Sequence, residues 1–177
     1  SVGGLVGVNT GTVNINRCYA DSYLTGTVTG GLIADGSLGN ATILSCYTAG
    51  YLNASSQAGG IIAKAMETRV NIKNVYTAVS FVADKNSDSE STDKVVRYAV
   101  GPVTIAEKDT VYYLNKGNVR EEDSNKDQGE YVGYKTLSNR TEMLKKLGGD
   151  FSASTTTHPY NLRNQGLSSY SYLSLKN

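Results

Sequence analysis

Apolar and polar residues alternate in short stretches along the first half of the chain, and the alternation returns at a fixed interval. Val13-Asn14-Ile15, Ala41-Thr42-Ile43 and Val70-Asn71-Ile72 each place two apolar side chains on one side of an extended backbone. That period of two buries one face of a strand, and no helical spacing of apolar residues competes with it here. Each stretch follows a glycine phrase, Gly3-Gly4-Leu5-Val6, Gly30-Gly31-Leu32-Ile33 or Gly59-Gly60-Ile61-Ile62, and precedes an apolar residue and a tyrosine: Cys18-Tyr19, Cys46-Tyr47 and Val75-Tyr76. Tyr19 and Tyr47 are 28 residues apart, Tyr47 and Tyr76 29. In the first copy the pattern predicts strands near 4–8, 12–20 and 23–28.

A repeat of this length signals stacked units that bury their apolar faces against one another. The expected fold is mainly β, a right-handed parallel β-solenoid (β-helix) of about four coils with a short C-terminal helix and a capping strand. Three equivalences follow. Val13, Ala41 and Val70 lie above one another at about 4.8 Å per strand, the isoleucines do the same, and Tyr19, Tyr47 and Tyr76 form an aromatic stack. The glycine pairs belong at corners that need positive φ or close backbone approach. A β-sandwich built from antiparallel hairpins is the rival arrangement.

The repeat region is expected over 1–114. Residues 84–94 contain no apolar residue that could anchor a strand, so they are read as an insertion that loops outward. A fourth, irregular coil would hold Tyr98-Ala99-Val100-Gly101 and Val111-Tyr112-Tyr113-Leu114. The segment 115–177 is expected to be a loop, helix and cap. Residues 115–130 are polar, and Asn139-Arg140-Thr141-Glu142 is a capping box opening a helix near 140–147 that Gly148-Gly149 stop. The tail from Phe151 to Leu175 should supply the closing strand.

These phrases resemble the GLUG motif, which runs Gly-Gly-Leu-Val-Gly-x-Asn, a short strand, and Asn-Cys-Tyr-Ala. Gly3 through Gly11 followed by Cys18-Tyr19-Ala20 carry the likeness best; Ala34 and Ala63 replace a glycine in the later copies, and Val75 replaces the cysteine. The resemblance implies a repeat region of a secreted or surface-attached bacterial protein, an adhesin or the non-catalytic part of an immunoglobulin A protease-like surface metallopeptidase. Such a module would serve in adhesion, binding a host or matrix protein or glycan, or as a rigid spacer. The alternatives are an accessory substrate-positioning domain of the metallopeptidase, or a polysaccharide-active β-helix enzyme. Ser1-Val2 leads straight into a repeat without a polar cap, so the natural chain is expected to continue upstream as part of a longer polypeptide.

Charge narrows the partners. With 17 basic and 16 acidic residues spread along the chain and a net charge of +1, no concentrated positive field exists for nucleic acid. No apolar run reaches the roughly 18 residues of a membrane span, so no membrane insertion is expected. Cys18 and Cys46 occupy one repeat position and lie within bridging range, but Val75 fills the same place in the third copy, which favours free thiols.

Candidate chemistry is sparse. Asp84-x-Asn86-x-Asp88 and Asp123-x-Asn125-x-Asp127 space oxygens as calcium loops do, yet neither completes the pattern at its sixth or twelfth position, and solvated acidic loops are the plainer reading. His158 is the single histidine and has no zinc-ligand partners. Asp35 and Lys64 sit at similar points of adjacent copies, too few for a catalytic set. Asn40, Asn53 and Asn139 fit the short glycosylation pattern. No catalytic, cofactor-binding or metal residue is assigned, no cofactor is expected, and any partner is expected at the polar excursions 84–94 and 115–130.

Overall fold

The computed structural model describes residues 1–82, 95–114, 129–157 and 171–176. The chain is mainly β, with parallel sheets and few helices. Its strands are β1 (Val2–Gly3), β2 (Val6–Val8), β3 (Thr12–Asn16), β4 (Tyr19–Gly30), β5 (Ile33–Gly36), β6 (Asn40–Gly59), β7 (Ile62–Ala65), β8 (Val70–Phe81), β9 (Val96–Tyr98), β10 (Val111–Tyr113), β11 (Glu130–Tyr131), β12 (Phe151–Thr157) and β13 (Ser171–Leu175). The helices are α1 (Tyr134–Ser138) and α2 (Arg140–Leu147). One sheet runs β1-β4-β6-β8-β10-β11, with β3 and β9 also pairing β6, and a second runs β2-β5-β7. Every pairing in these two sheets is parallel, unlike the hairpins of a sandwich.

Register follows the repeat. Val13 pairs Ala41, which pairs Val70; Ile15 pairs Ile43, which pairs Ile72. Tyr19, Tyr47, Tyr76 and Tyr112 align across four rungs, so the irregular fourth copy joins the column despite its longer spacing. Ile43 is fully buried, and Ile15 and Ile72 nearly so, among Leu32, Ile33, Ile61, Ile62, Val75 and Val111 between the two sheets. Each such side chain contributes about 1.5–3 kcal/mol of burial.

Of the two expectations for the glycine pairs, positive φ or close backbone approach, the second holds. A Cβ on Gly31 would stand 1.9 Å from the Gly60 carbonyl oxygen, and one on Gly4 would stand 2.1 Å from that of Gly31. At this corner one carbonyl takes two amides: Leu5 and Val6 donate to Leu32 O, Leu32 and Ile33 to Ile61 O, and Ile61 and Ile62 to Val100 O. The left-handed residues other than glycine lie elsewhere among the described residues, at Arg17 (φ 54), Ser45 (φ 51) and Asn74 (φ 53), each one place before the Cys/Val position. This kink is why the expected strand 12–20 divides into β3 and β4. It switches which face is apolar, so that Cys46 points into the core while the next residue, Tyr47, points to the opposite side.

The C-terminal part departs from the expected cap. Helix α2 forms where the capping box put it, with Asn139 Oδ1 accepting from Glu142 N at 3.3 Å and Gly148 (φ 76) ending it. Strands β12 and β13 pair antiparallel with each other as a separate sheet instead of adding to the parallel stack. With α1 and α2 they cover the tyrosine column from the side: Val132, Leu137, Met143, Leu147 and Phe151 pack on Tyr47, Tyr76 and Tyr112. The edge of the fourth rung is met by β11.

Candidate functional surface

Three features of the described residues bear on what the chain can do: an aromatic column, a clamp that ties the C-terminal part to it, and an open first rung. The column comes from strand geometry, since identical residues in parallel register repeat at the inter-strand distance. Tyr19 and Tyr47 stack with centroids 5.0 Å apart and planes 7° apart, and Tyr47 and Tyr76 stack at 5.0 Å and 0°. Phe151 meets Tyr76 at 5.7 Å, tilted by 49°. Tyr112 donates its hydroxyl to Asp109 O, and Lys146 Nζ lies 5.1 Å from its ring centroid. Burial, then the Glu130 and Asp109 charges, push the Tyr112 phenol up to about 12.

Asp150 forms the clamp. Its Oδ2 accepts from the buried Ser45 hydroxyl at 2.6 Å, and Oδ1 lies 3.9 Å from Arg17 Nε. Arg17 Nη2 also donates to Lys176 O at 2.7 Å. Two of these three left-handed non-glycine residues, Arg17 and Ser45, thus hold the C-terminal segment, a role the residue pattern did not reveal. The available signal was weak: a polar residue precedes each Cys or Val, but only Asn74 is of a type that adopts left-handed backbone readily.

Behind the glycine corner, Thr48 Oγ1 lies 2.8 Å from both Gly60 O and Thr77 Oγ1, so a buried hydroxyl pair follows the same register. Asn9 is buried and closes the first turn: its Nδ2 donates to Asn40 O at 2.9 Å and its Oδ1 accepts from Gly11 N at 3.1 Å. The GLUG-like asparagine therefore acts in turn construction.

The remaining candidates carry little chemistry. Asp35 and Lys64 are direct register partners. Asp35 Oδ1 accepts from Ser37 Oγ at 2.6 Å and from Ser37 N at 3.1 Å, and the hydroxyl bond foremost, with Lys64 adding to it, holds the carboxyl below its ordinary value. A general acid needs the opposite shift. Cys18 and Cys46 are free thiols, and burial pushes Cys46 up to about 11, away from nucleophilic use. Among the described residues no group of three or more His, Cys, Asp or Glu could hold a metal ion, and no helix is long and apolar enough to cross a membrane. Both calcium-like spacings, the excursion 84–94, most of 115–130 and His158 lie outside the described residues.

The first rung is open. Leu5, Val8, Tyr19 and Tyr23 are all exposed there, although Leu32 and Tyr47, the counterparts of Leu5 and Tyr19 one rung on, are buried. Comparison with protein-family models, with curated proteins and with solved structures finds no match for the chain.

Proposed function

We propose that the chain is a non-catalytic, right-handed β-solenoid module of an extracellular bacterial surface protein, adhering to a host or matrix protein or glycan or acting as a rigid spacer. The supporting observation is the register that runs through all four rungs, with Tyr19, Tyr47, Tyr76 and Tyr112 in one column, the last three covered by the C-terminal part, and the isoleucine ladder in the other core across the first three. Stacking of this kind gives a stiff surface in which each unit contacts its neighbours, and it asks no catalytic residue of the sequence. The GLUG resemblance supplies the bacterial surface setting.

A polysaccharide-cleaving enzyme is the reading from another class. The lowered Asp35 carboxyl, flanked in register by the apolar Val8 and by Lys64, speaks against it. The test immobilises the purified chain and presents matrix proteins and host glycans, with polyuronates assayed for cleavage in parallel. Retention of a matrix protein or glycan without turnover is the expected result for an adhesive module. Cleavage of any polyuronate would overturn the proposal.

A further inference from the structure

We propose that Cys18 and Cys46 are an oxidisable pair: exchange with an external disulfide joins their sulfurs and staples the first rung to the second. The inference rests on the register of β3, β4 and β6 and not on the surface-module reading, so either can fail without the other.

Backbone placement comes first. Asn16 pairs Leu44 on one side of the cysteines and Tyr19 pairs Tyr47 on the other, so Cys18 stands opposite Cys46. Arg17 N donates to Leu44 O at 3.1 Å and Tyr47 N to Cys18 O at 3.2 Å, which keeps the two rungs paired through the kink. Parallel neighbours stand about 4.8 Å apart, inside the range of roughly 4.4–6.8 Å that a disulfide tolerates between Cα atoms. Each cysteine follows a left-handed residue of nearly the same φ, 54° at Arg17 and 51° at Ser45, so both side chains leave the backbone toward the same core. Val75 and Val111 fill this place on the third and fourth rungs, and the chain has two cysteines, which leaves one intramolecular pairing. Asp150 already joins the same two rungs through Arg17 and Ser45, the residues just before the cysteines.

The sulfurs themselves support the pairing. Cys46 Sγ donates to Leu44 O at 3.0 Å and lies 3.6 Å from Ile15 O of the first rung, and the backbone of Cys18 and of Arg17 hydrogen-bonds it as well. Cys18 Sγ donates to Asn16 O at 3.3 Å, the equivalent bond one rung back. Closing the bridge therefore gives up two weak S–H bonds and turns Cys18 about χ1. Cys18 is half-buried and Cys46 fully buried, so an outside reagent meets Cys18. The Cys18 thiolate attacks one sulfur of the external disulfide, forming a mixed disulfide and releasing a thiolate. Cys46 then gives its proton to solvent, attacks Cys18 Sγ and releases the second thiolate. Two thiols of the chain and one external disulfide become one bridge and two external thiols, so protons and electrons balance. Burial keeps Cys46 protonated toward neutrality, so the closing step sets the rate.

The test equilibrates the whole chain with reduced and oxidised glutathione, both folded and unfolded in urea, and counts bridged chains by alkylation and mass spectrometry. The expected result is a Cys18–Cys46 bridge whose equilibrium constant against glutathione is at least about tenfold larger in the folded chain than in urea. By linkage the bridge then favours the folded state by the same factor, read as a thermal midpoint about 3 °C or more above that of the reduced chain. Hydrogen exchange at Thr12–Asn16 and Tyr19–Thr25 should slow about tenfold on oxidation. Cys18→Val and Cys46→Val, each copying Val75, should lose the bridge and both responses to oxidation. A folded chain that keeps both thiols, stops at a mixed disulfide on Cys18, or links Cys18 to a second chain would overturn the proposal. So would a bridge that closes as readily in urea as in the folded chain, since the register would then contribute nothing.

Discussion

Single positions in the ladders carry very different loads. Ile43 is fully buried in the middle of the isoleucine ladder, so Ile43→Asp places an unpaired charge where neither water nor a partner reaches it. The expected loss is about 4 kcal/mol or more, read as a collapse of the thermal transition, while Ile43→Val should cost only about 1 kcal/mol. Gly31→Ala drives a Cβ into the Gly60 carbonyl, and backbone on both sides cannot yield; Gly11, with nothing within 4 Å of its Cβ position, is the control. Denaturant titration should give at least about 2 kcal/mol for the first and within about 0.5 kcal/mol for the second. Cys46 makes the fold sensitive to alkali. Its thiol ionises ordinarily at 9.0 and in the folded chain at about 11, so the native state keeps the proton longer. The associated stability is complete below pH 9 and is lost as pH rises toward 11. Cys46→Val, which copies Val75 on the next rung, should flatten that part of the stability profile measured by denaturation from pH 8 to 11.

At the scale of elements, Phe151 decides whether the C-terminal part stays on the column. It is buried against Tyr76 at the start of β12, and Phe151→Ala should cost about 3–5 kcal/mol by chemical denaturation. Asp150→Ala removes an exposed ion pair worth little, but strands the buried Ser45 hydroxyl, for about 1–2 kcal/mol in the same assay. These elements also mark how far the sequence could be read. The ladders of 13/41/70 and 15/43/72 were legible because strand periodicity and repeat length are local quantities. Helix α2 was legible from its caps. The position of Phe151 was not, because a side-on contact with Tyr76 is a tertiary choice that leaves no period in the sequence. The kinks at Arg17, Ser45 and Asn74 escaped for another reason: three different side chains share one backbone conformation, and only Asn74 advertises it. Of the candidate surface, the tyrosine column could be read in advance for its first three members; Tyr112 was hidden by the irregular spacing after Tyr76.

For the molecule as a whole, stability should behave as a sum over rungs and their interfaces. Deleting residues 30–58 joins Thr29 to Gly59 in phase, and sets Ile15 over Ile72 and Tyr19 over Tyr76. That variant should keep a cooperative melting transition at lower temperature, whereas deleting 30–43, about half a turn, breaks every register and should leave no folded state by circular dichroism. The contact from Arg17 to Lys176 O has a mechanical meaning. It pins the last described residue to the rung that contains Ser1–Gly3, so a pull applied between Ser1 and Lys176 does not stretch the stack from end to end. The load falls first on one charge-assisted hydrogen bond and the Asp150 contacts beside it, which act as a fuse. Once they part, the β12–β13 hairpin peels away, and tension reaches the parallel ladders only after that slack is taken up.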